Sequence, residues 1–160
     1  MSPSANEVLH WLEAVPDPEI PVLLITDLGI VRDVQVGDTV TVSLAPTYSA
    51  CPATEVIEQS VIDALHSHGI DKIEIKRVLS PAWTTDWISD AGRDKLRVYG
   101  IAPPQAGAGK RALVDEQRRI ACPRCASCNS VLVSEFGSTP CKASYRCSDC
   151  LEPFEYFKCI

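Results

Sequence analysis

The sequence has no uninterrupted apolar stretch near the roughly 18 residues that a membrane-spanning helix needs, so no span is expected. Its start, Met1-Ser2-Pro3-Ser4-Ala5-Asn6-Glu7, has neither the basic opening nor the apolar run of a secretory signal. Both absences point to a cytoplasmic, reducing compartment, where closely spaced cysteines are metal ligands or redox groups more often than structural bridges. Positive charge is also in short supply, with 15 basic against 21 acidic side chains and a formal net charge of −6. The 160 residues exclude a large multidomain enzyme. With 46% hydrophobic and 22% charged residues the chain can still bury a core, which excludes wholesale disorder.

Cysteine is scarce in one part and abundant in another. Cys51 stands alone in the first 120 residues, and the other seven of the eight fall between Cys122 and Cys159. That lopsidedness argues for a local metal site rather than a chain-wide disulfide framework. A run rich in Pro, Gly and Ala, from Ala102 to Lys110, separates the two regions as a linker would. Charge divides there too: residues 1–109 hold 7 basic and 15 acidic side chains, whereas residues 110–160 hold 8 and 6.

In the first region Ser4 and Glu7 stand at capping-box spacing, ahead of Val8, Leu12 and Val15 on one helical face, with Pro16 ending the helix. Alternation over Ile30–Val36, a Gly37-Asp38 pair, then Val40, Val42 and Leu44 predict a hairpin with a two-residue turn. From Pro52 to His68, Val56, Ile57, Val61, Ala64 and Leu65 recur at helical spacing before Gly69. Ile73, Ile75 and Leu79 predict a third strand, and Asp90–Tyr99 a short helix. Trp83 and Trp87, at i, i+4 spacing, read as packing residues. The expected fold is α+β, with helices packed on one face of a short mixed sheet.

The second region has strand-like runs at 131–136, 143–147 and 154–158 and too few residues to stand on core burial alone. Cys122-Pro123-Arg124-Cys125 and Cys147-Ser148-Asp149-Cys150 are two Cys-x-x-Cys pairs in the layout of a zinc ribbon, whose four thiolates close a tetrahedron around a structural ion. Cys128 extends the first pair to Cys-x-x-Cys-x-x-Cys, the opening of some iron–sulfur motifs, but the usual fourth cysteine followed by proline is missing. Cys141 and Cys159 read as small buried thiols, although Cys141 sits in a turn beside Lys142, a setting that can lower a thiol pKa. Arg118, Arg119, Arg124, Lys142 and Arg146 offer a basic face, yet so small an excess beside an acidic region disfavours nucleic acid. Docking on a protein is the better expectation.

Cys51 precedes Pro52 at the start of the long helix, where free N–H groups and the helix dipole favour a thiolate, with Glu55 and Glu58 opposing. His66 and His68 lie at the far end of that helix, about 22 Å away, so a Cys-His dyad is not expected. Asp17-Pro18-Glu19 and Asp27-Leu28-Gly29 place three carboxylates in turns. Turn chemistry is the plain explanation. The functional alternative groups them with Cys51 as a transient site for iron or a cluster.

Three strings carry a resemblance: Asp17-Pro18-Glu19-Ile20-Pro21, Ile25-Thr26-Asp27-Leu28-Gly29-Ile30-Val31 and Thr47-Tyr48-Ser49-Ala50-Cys51-Pro52. They resemble the SufT-like family of small iron–sulfur assembly domains, in which the cysteine matching Cys51 is the usual candidate functional residue. With Pro81-Ala82-Trp83-Thr84-Thr85-Asp86-Trp87, Tyr99-Gly100-Ile101-Ala102-Pro103-Pro104, Glu135-Phe136-Gly137-Ser138-Thr139-Pro140-Cys141-Lys142 and Phe154-Glu155-Tyr156-Phe157-Lys158-Cys159, the whole chain resembles the PaaD-like family of the bacterial phenylacetyl-CoA epoxidase system. The module boundaries then fall at 1–101, 102–117 (linker) and 118–160.

The resemblance implies an accessory role in aerobic phenylacetate catabolism. The expected partners are the other epoxidase subunits, a di-iron oxygenase or an iron–sulfur reductase, and the expected task is iron or iron–sulfur centre assembly without catalytic turnover. Neither two Glu-x-x-His motifs, as di-iron sites use, nor a Gly-rich dinucleotide fingerprint occurs. Expected metal ligands are Cys122, Cys125, Cys147 and Cys150 for zinc, with Cys51, Asp17, Glu19 and Asp27 as candidates for handling iron or a cluster. Two other readings compete: a structural subunit of the oxygenase complex, and a thiol-disulfide enzyme using Cys122 and Cys125.

Overall fold

Ser4 starts the first helix, α1 (Ala5–Leu12), as its spacing predicts. Its hydroxyl accepts the Glu7 N–H at 3.2 Å while the Glu7 carboxylate accepts the Ser4 N–H at 2.7 Å. This reciprocal box satisfies two N–H groups that a helix start otherwise leaves open. The computed structural model describes residues 2–48, 51–105 and 119–158, so most of the expected linker lies outside the described residues. The chain forms two compact units, Met1–Trp83 and Thr84–Ile160. Among the described residues no helix is long and apolar enough to cross a membrane.

In the first unit, β1 (Val31–Val36) and β2 (Val40–Leu44) pair antiparallel. Val36 faces Val40, which leaves Gly37, Asp38 and Thr39 in the turn, one residue more than the sequence pattern implied. The Gly37 N–H donates to the Thr39 carbonyl at 3.3 Å, so Thr39 belongs to the turn and not the strand. Strand β3 (Ile73–Arg77) runs parallel to β2, giving a mixed sheet in the order β1-β2-β3. A parallel neighbour needs a crossover, and α2 (Ala53–Ser67) supplies it.

Helix α2 buries Ala53, Ile57, Val61 and Leu65, one residue per turn, which is a narrower stripe than expected. Val56 faces away from it and is 51% exposed. Gly69 ends the helix at φ +81, where a side chain is disfavoured. Its N–H donates to the His66 carbonyl at 2.9 Å, and that of Ile70 to the Leu65 carbonyl at 3.1 Å. Arg77 on β3 grips the Glu58 carboxylate of α2 with two nitrogens, at 2.5 and 3.0 Å. Leu79 lies beyond β3 and is largely exposed, so it is not part of the strand. Trp83 is buried, and its indole N–H donates to the Leu28 carbonyl at 2.7 Å.

The second unit opens with a 3-10 turn, Thr85–Trp87, and α3 (Asp90–Tyr99), the helix predicted there. Because Trp83 lies outside any helix, its spacing from Trp87 defines no helical face. Four strands follow: β4 (Ile101–Ala102), β5 (Ser130–Ser134), β6 (Lys142–Cys147) and β7 (Pro153–Phe157), in the order β4-β7-β6-β5. Strand β4 lies parallel to β7, and the other neighbours are antiparallel. One core cluster of this unit joins Ala102, Ile120, Phe154 and Tyr156 to the side chains of Cys122 and Cys147, and Ile88, Leu96, Ile101, Ala143 and Phe157 are buried as well.

The burial pattern of α2 fixes two outcomes. Leu65→Ala, at a fully buried position, is expected to destabilise the chain by about 2–5 kcal/mol. Val56→Ala is expected to stay within about 0.5 kcal/mol, both read from chemical denaturation.

Candidate functional site

The two Cys-x-x-Cys segments fold into two copies of the same turn. In the first, the Cys122 N–H donates to the Ser127 carbonyl at 2.8 Å. In the second, the Cys147 N–H donates to the Glu152 carbonyl at 2.9 Å, with the same five-residue spacing. Each turn closes on a left-handed residue just after its second cysteine, Ala126 at φ 62 and Leu151 at φ 64. Neither is glycine, so both store backbone strain.

The two turns face each other through their sulfurs. Cys122 Sγ lies 3.7 Å from Cys150 Sγ, and Cys125 Sγ lies 3.6 Å from Cys147 Sγ. All four atoms lie within 4.8 Å of one another. A zinc–sulfur distance of about 2.3 Å places tetrahedral ligands about 3.8 Å apart, so the donor set fits a tetrathiolate ion. The close contacts run between the turns, at distances well beyond a disulfide bond.

Backbone donors already favour charge on one sulfur. The N–H groups of Cys150 and Asp149 and the neighbouring thiols outweigh desolvation and hold Cys147 down to about 7. For Cys125 the N–H of Ser127 pulls downward, but desolvation and contact with the other three thiols outweigh it, and the thiol is pushed up to about 12. Asp149 braces one turn against the other. Its carboxylate accepts the Ser127 hydroxyl and the Asn129 amide, the latter at 2.9 Å, and both hold its pKa below the usual range.

Among the described residues the other cysteines of this unit, Cys128 and Cys141, stand apart from the cluster. Cys128 is exposed and outside it, Cys141 is half-buried with the Thr139 hydroxyl 3.0 Å from its sulfur, and Cys159 lies outside the described residues. The anticipated basic face is broken up. Lys142 is buried and paired with Glu155 at 3.1 Å, and Arg124 pairs with Glu152 at 2.5 Å. Arg118 lies outside the described residues. Gly137 belongs to the Lys142 arrangement, since a Cβ there would meet Glu155 Oε1 at 2.6 Å. The Ser138 N–H donates to that same oxygen, also at 2.6 Å.

In the first unit Cys51 stands where the chain enters α2, next to Pro52 at the helix cap. Burial is the largest influence on its thiol and pushes the pKa up. The N–H groups of Ala53 and Thr54 pull the other way, and the carboxylates of Glu19 and Asp17 add to the rise. The helix start therefore does not win, and the opposing charges come from the 17–19 turn instead of Glu55 and Glu58. Asp17 is buried, and its Oδ1 accepts the N–H groups of Glu19 and Ile20 at 2.9 and 2.8 Å. Asp27 accepts the Leu24 N–H at 3.0 Å. Among the described residues only the four ribbon cysteines gather three or more ligand atoms within metal-holding reach, and Cys51, Asp17, Glu19 and Asp27 do not.

The histidines occupy outer positions. His68 stacks on Trp11 with ring centroids 4.3 Å apart, and His66 is exposed near the same helix end. The sequence holds one Glu-x-x-His spacing, Glu7 to His10. Glu7 serves the helix cap and His10 pairs with Glu13 at 2.9 Å, so no di-iron motif results.

A small α+β unit with a solitary cysteine at a helix entrance, joined to a four-stranded unit with a four-cysteine cluster, defines an assembly-type domain carrying a zinc ribbon. Residues 5–76 match the family model described as iron-sulfur cluster assembly protein, and residues 106–158 match the PaaD zinc beta ribbon domain. A protein of Escherichia coli (strain K12), provisionally named as the D component of 1,2-phenylacetyl-CoA epoxidase, is 50% identical over 159 residues, covering 99% of this chain and 94% of its own. The chain belongs to that PaaD-like family. The first unit is similar to a crystal structure of a DUF59 domain of unknown function from Bacillus anthracis (TM-score 0.54, 28% identity, 57% of this chain and 90% of that one). It is also similar to a conserved hypothetical protein of Thermotoga maritima (TM-score 0.51, 29% identity, 59% and 94%).

Two outcomes follow from this geometry. Leu151 is mostly exposed, so Leu151→Gly is expected to stabilise the second unit by about 0.5–1 kcal/mol through relief of its left-handed strain. Leu151→Val is expected to cost about 1 kcal/mol or more, and thermal unfolding reads both. With its pKa raised, Cys51 is expected to be alkylated slowly at neutral pH, with an inflection above that of a free cysteine. Asp17→Asn with Glu19→Gln is expected to lower that inflection, followed residue by residue with mass spectrometry on the zinc-loaded chain.

Proposed function

We propose that this chain is a maturation factor of the phenylacetyl-CoA epoxidase system, assisting assembly of an iron or iron–sulfur centre in a partner subunit. The observation that carries this reading is the position of Cys51: in the unit that matches the iron–sulfur assembly model, at a helix entrance, under the field of Asp17 and Glu19. That field disfavours a bare thiolate and attracts a cation. The thiol therefore rests neutral and loses its proton when an iron species arrives as cargo, and the proton returns when the cargo leaves for ligands on the client. Asp27 shapes the loop on the Leu24 side and completes the candidate set.

In this reading Cys122, Cys125, Cys147 and Cys150 hold a structural zinc ion. A closed tetrathiolate shell leaves no place for substrate, so the ion ties two turns together and stands in for a larger core. The ribbon docks the factor on its client, the di-iron oxygenase or the iron–sulfur reductase of the same system. The chain acts in the cytoplasm, without catalytic turnover of its own and without nucleic acid.

The test is complementation of cells lacking the native protein with Cys51→Ser, with metal content measured in both proteins. The purified variant is expected to keep one zinc per chain. Client iron and ring-epoxidising activity are expected to fall by about tenfold or more. Unchanged client iron at equal protein level defeats the thiol mechanism.

A further inference from the structure

Open sheet edges invite pairing with other chains, and natural proteins guard them with charge, proline or shortness. Among the described residues three of the four sheet edges are guarded: β1 carries Arg32 and Asp33, β3 carries Glu74, Lys76 and Arg77, and β4 has two residues. The fourth edge, β5, has no charge or proline and is not short, and its one guard is a bulge at its C-terminal end. It reads Ser130-Val131-Leu132-Val133-Ser134, and Val131, Leu132 and Val133 are 45%, 49% and 65% exposed. Phe136, 66% exposed, extends the apolar surface, with the Lys158 ammonium 4.7 Å from its ring centre.

The strand also reads the same in both directions. An antiparallel copy centred on Leu132 sets Leu132 against Leu132, Val131 against Val133 and Ser130 against Ser134, with no charge repelled. The backbone supports this centre. The Asn129 carbonyl accepts the Ser148 N–H at 2.8 Å, which turns Asn129 and Val131 toward β6 and, by alternation, Ser130 and Leu132 toward the open edge. Leu132 thus offers one N–H and one C=O across a two-fold axis. The bulge between Leu132 and Ser134 lies within the palindrome: it gives Val133 no register partner on β6 and returns Ser134 to Ser144 of β6, so the main-chain bonds across the axis are confined to Leu132.

We propose that β5 is a self-association edge through which two copies of this chain pair antiparallel about Leu132, joining two four-stranded sheets into one. A single strand edge buries less than the roughly 1,200–2,000 Å² of a stable interface, so the dimer is concentration-dependent. The symmetry is closed, so pairing stops at two copies.

Sedimentation velocity of the full, metal-loaded chain from about 5 to about 200 µM tests it. The wild type is expected to shift from monomer to dimer across that range, and Leu132→Lys, which opposes two ammonium groups at the axis, to raise the dissociation constant by about tenfold or more. A wild type that stays monomeric throughout, as it would if β5 served only a different protein, overturns the proposal. So does a dimer unaffected by both Leu132→Lys and Val133→Lys. Should Leu132→Lys lose zinc or secondary structure, a photo-crosslinking residue at position 132 decides. A covalent dimer joined at 132 supports the edge, and its absence overturns it.

Discussion

The second unit hinges on bringing four sulfurs together. Two of the cluster thiols, Cys122 and Cys147, are themselves core residues, packed with Ala102, Ile120, Phe154 and Tyr156. The same atoms therefore close the hydrophobic interior on one side and point toward a common centre on the other. Two identical turns do this with matching N–H to carbonyl bonds, and both accept a left-handed non-glycine residue to do so. Binding an ion at that centre is folding free energy for the whole unit, so the local strain at Ala126 and Leu151 is readily offset.

The first unit solves a different problem. Its helices and mixed sheet bury enough to fold, and the loop between α1 and β1 is left to shape the surroundings of Cys51. Asp17 and Asp27 cap main-chain N–H groups there, so the turn explanation and the functional one are not exclusive. A carboxylate fixed by two backbone donors is a rigid charge, and with Glu19 it adds to the rise that partial burial already imposes on the Cys51 thiol.

Local signals were legible in the sequence, and tertiary ones were not. The Ser4–Glu7 box, the two Cys-x-x-Cys turns and the Asp90–Tyr99 helix depend on residues within a few positions of one another, and each formed as read. Val56 misled because helical spacing does not say how wide the buried stripe is. Lys142 looked like surface charge because its partner Glu155 comes from the neighbouring strand, where sheet register sets it diagonally across, opposite Ser144. Ala126 and Leu151 gave no sign of their conformation, since the usual marker of a left-handed turn is glycine. The influence of Asp17 and Glu19 on Cys51 arises from loop packing across the unit, which no spacing rule reports.

The parallel pairing of β2 with β3 also sets the range of the contacts on which the sheet depends. The β1–β2 hairpin closes across a three-residue turn, whereas β3 pairs with β2 only across the whole α2 crossover, a contact of longer range that costs more chain entropy to close. Cys51 sits at the head of that crossover. The helix entrance that half-buries this thiol therefore rests on the longer-range of the two strand pairings in its sheet.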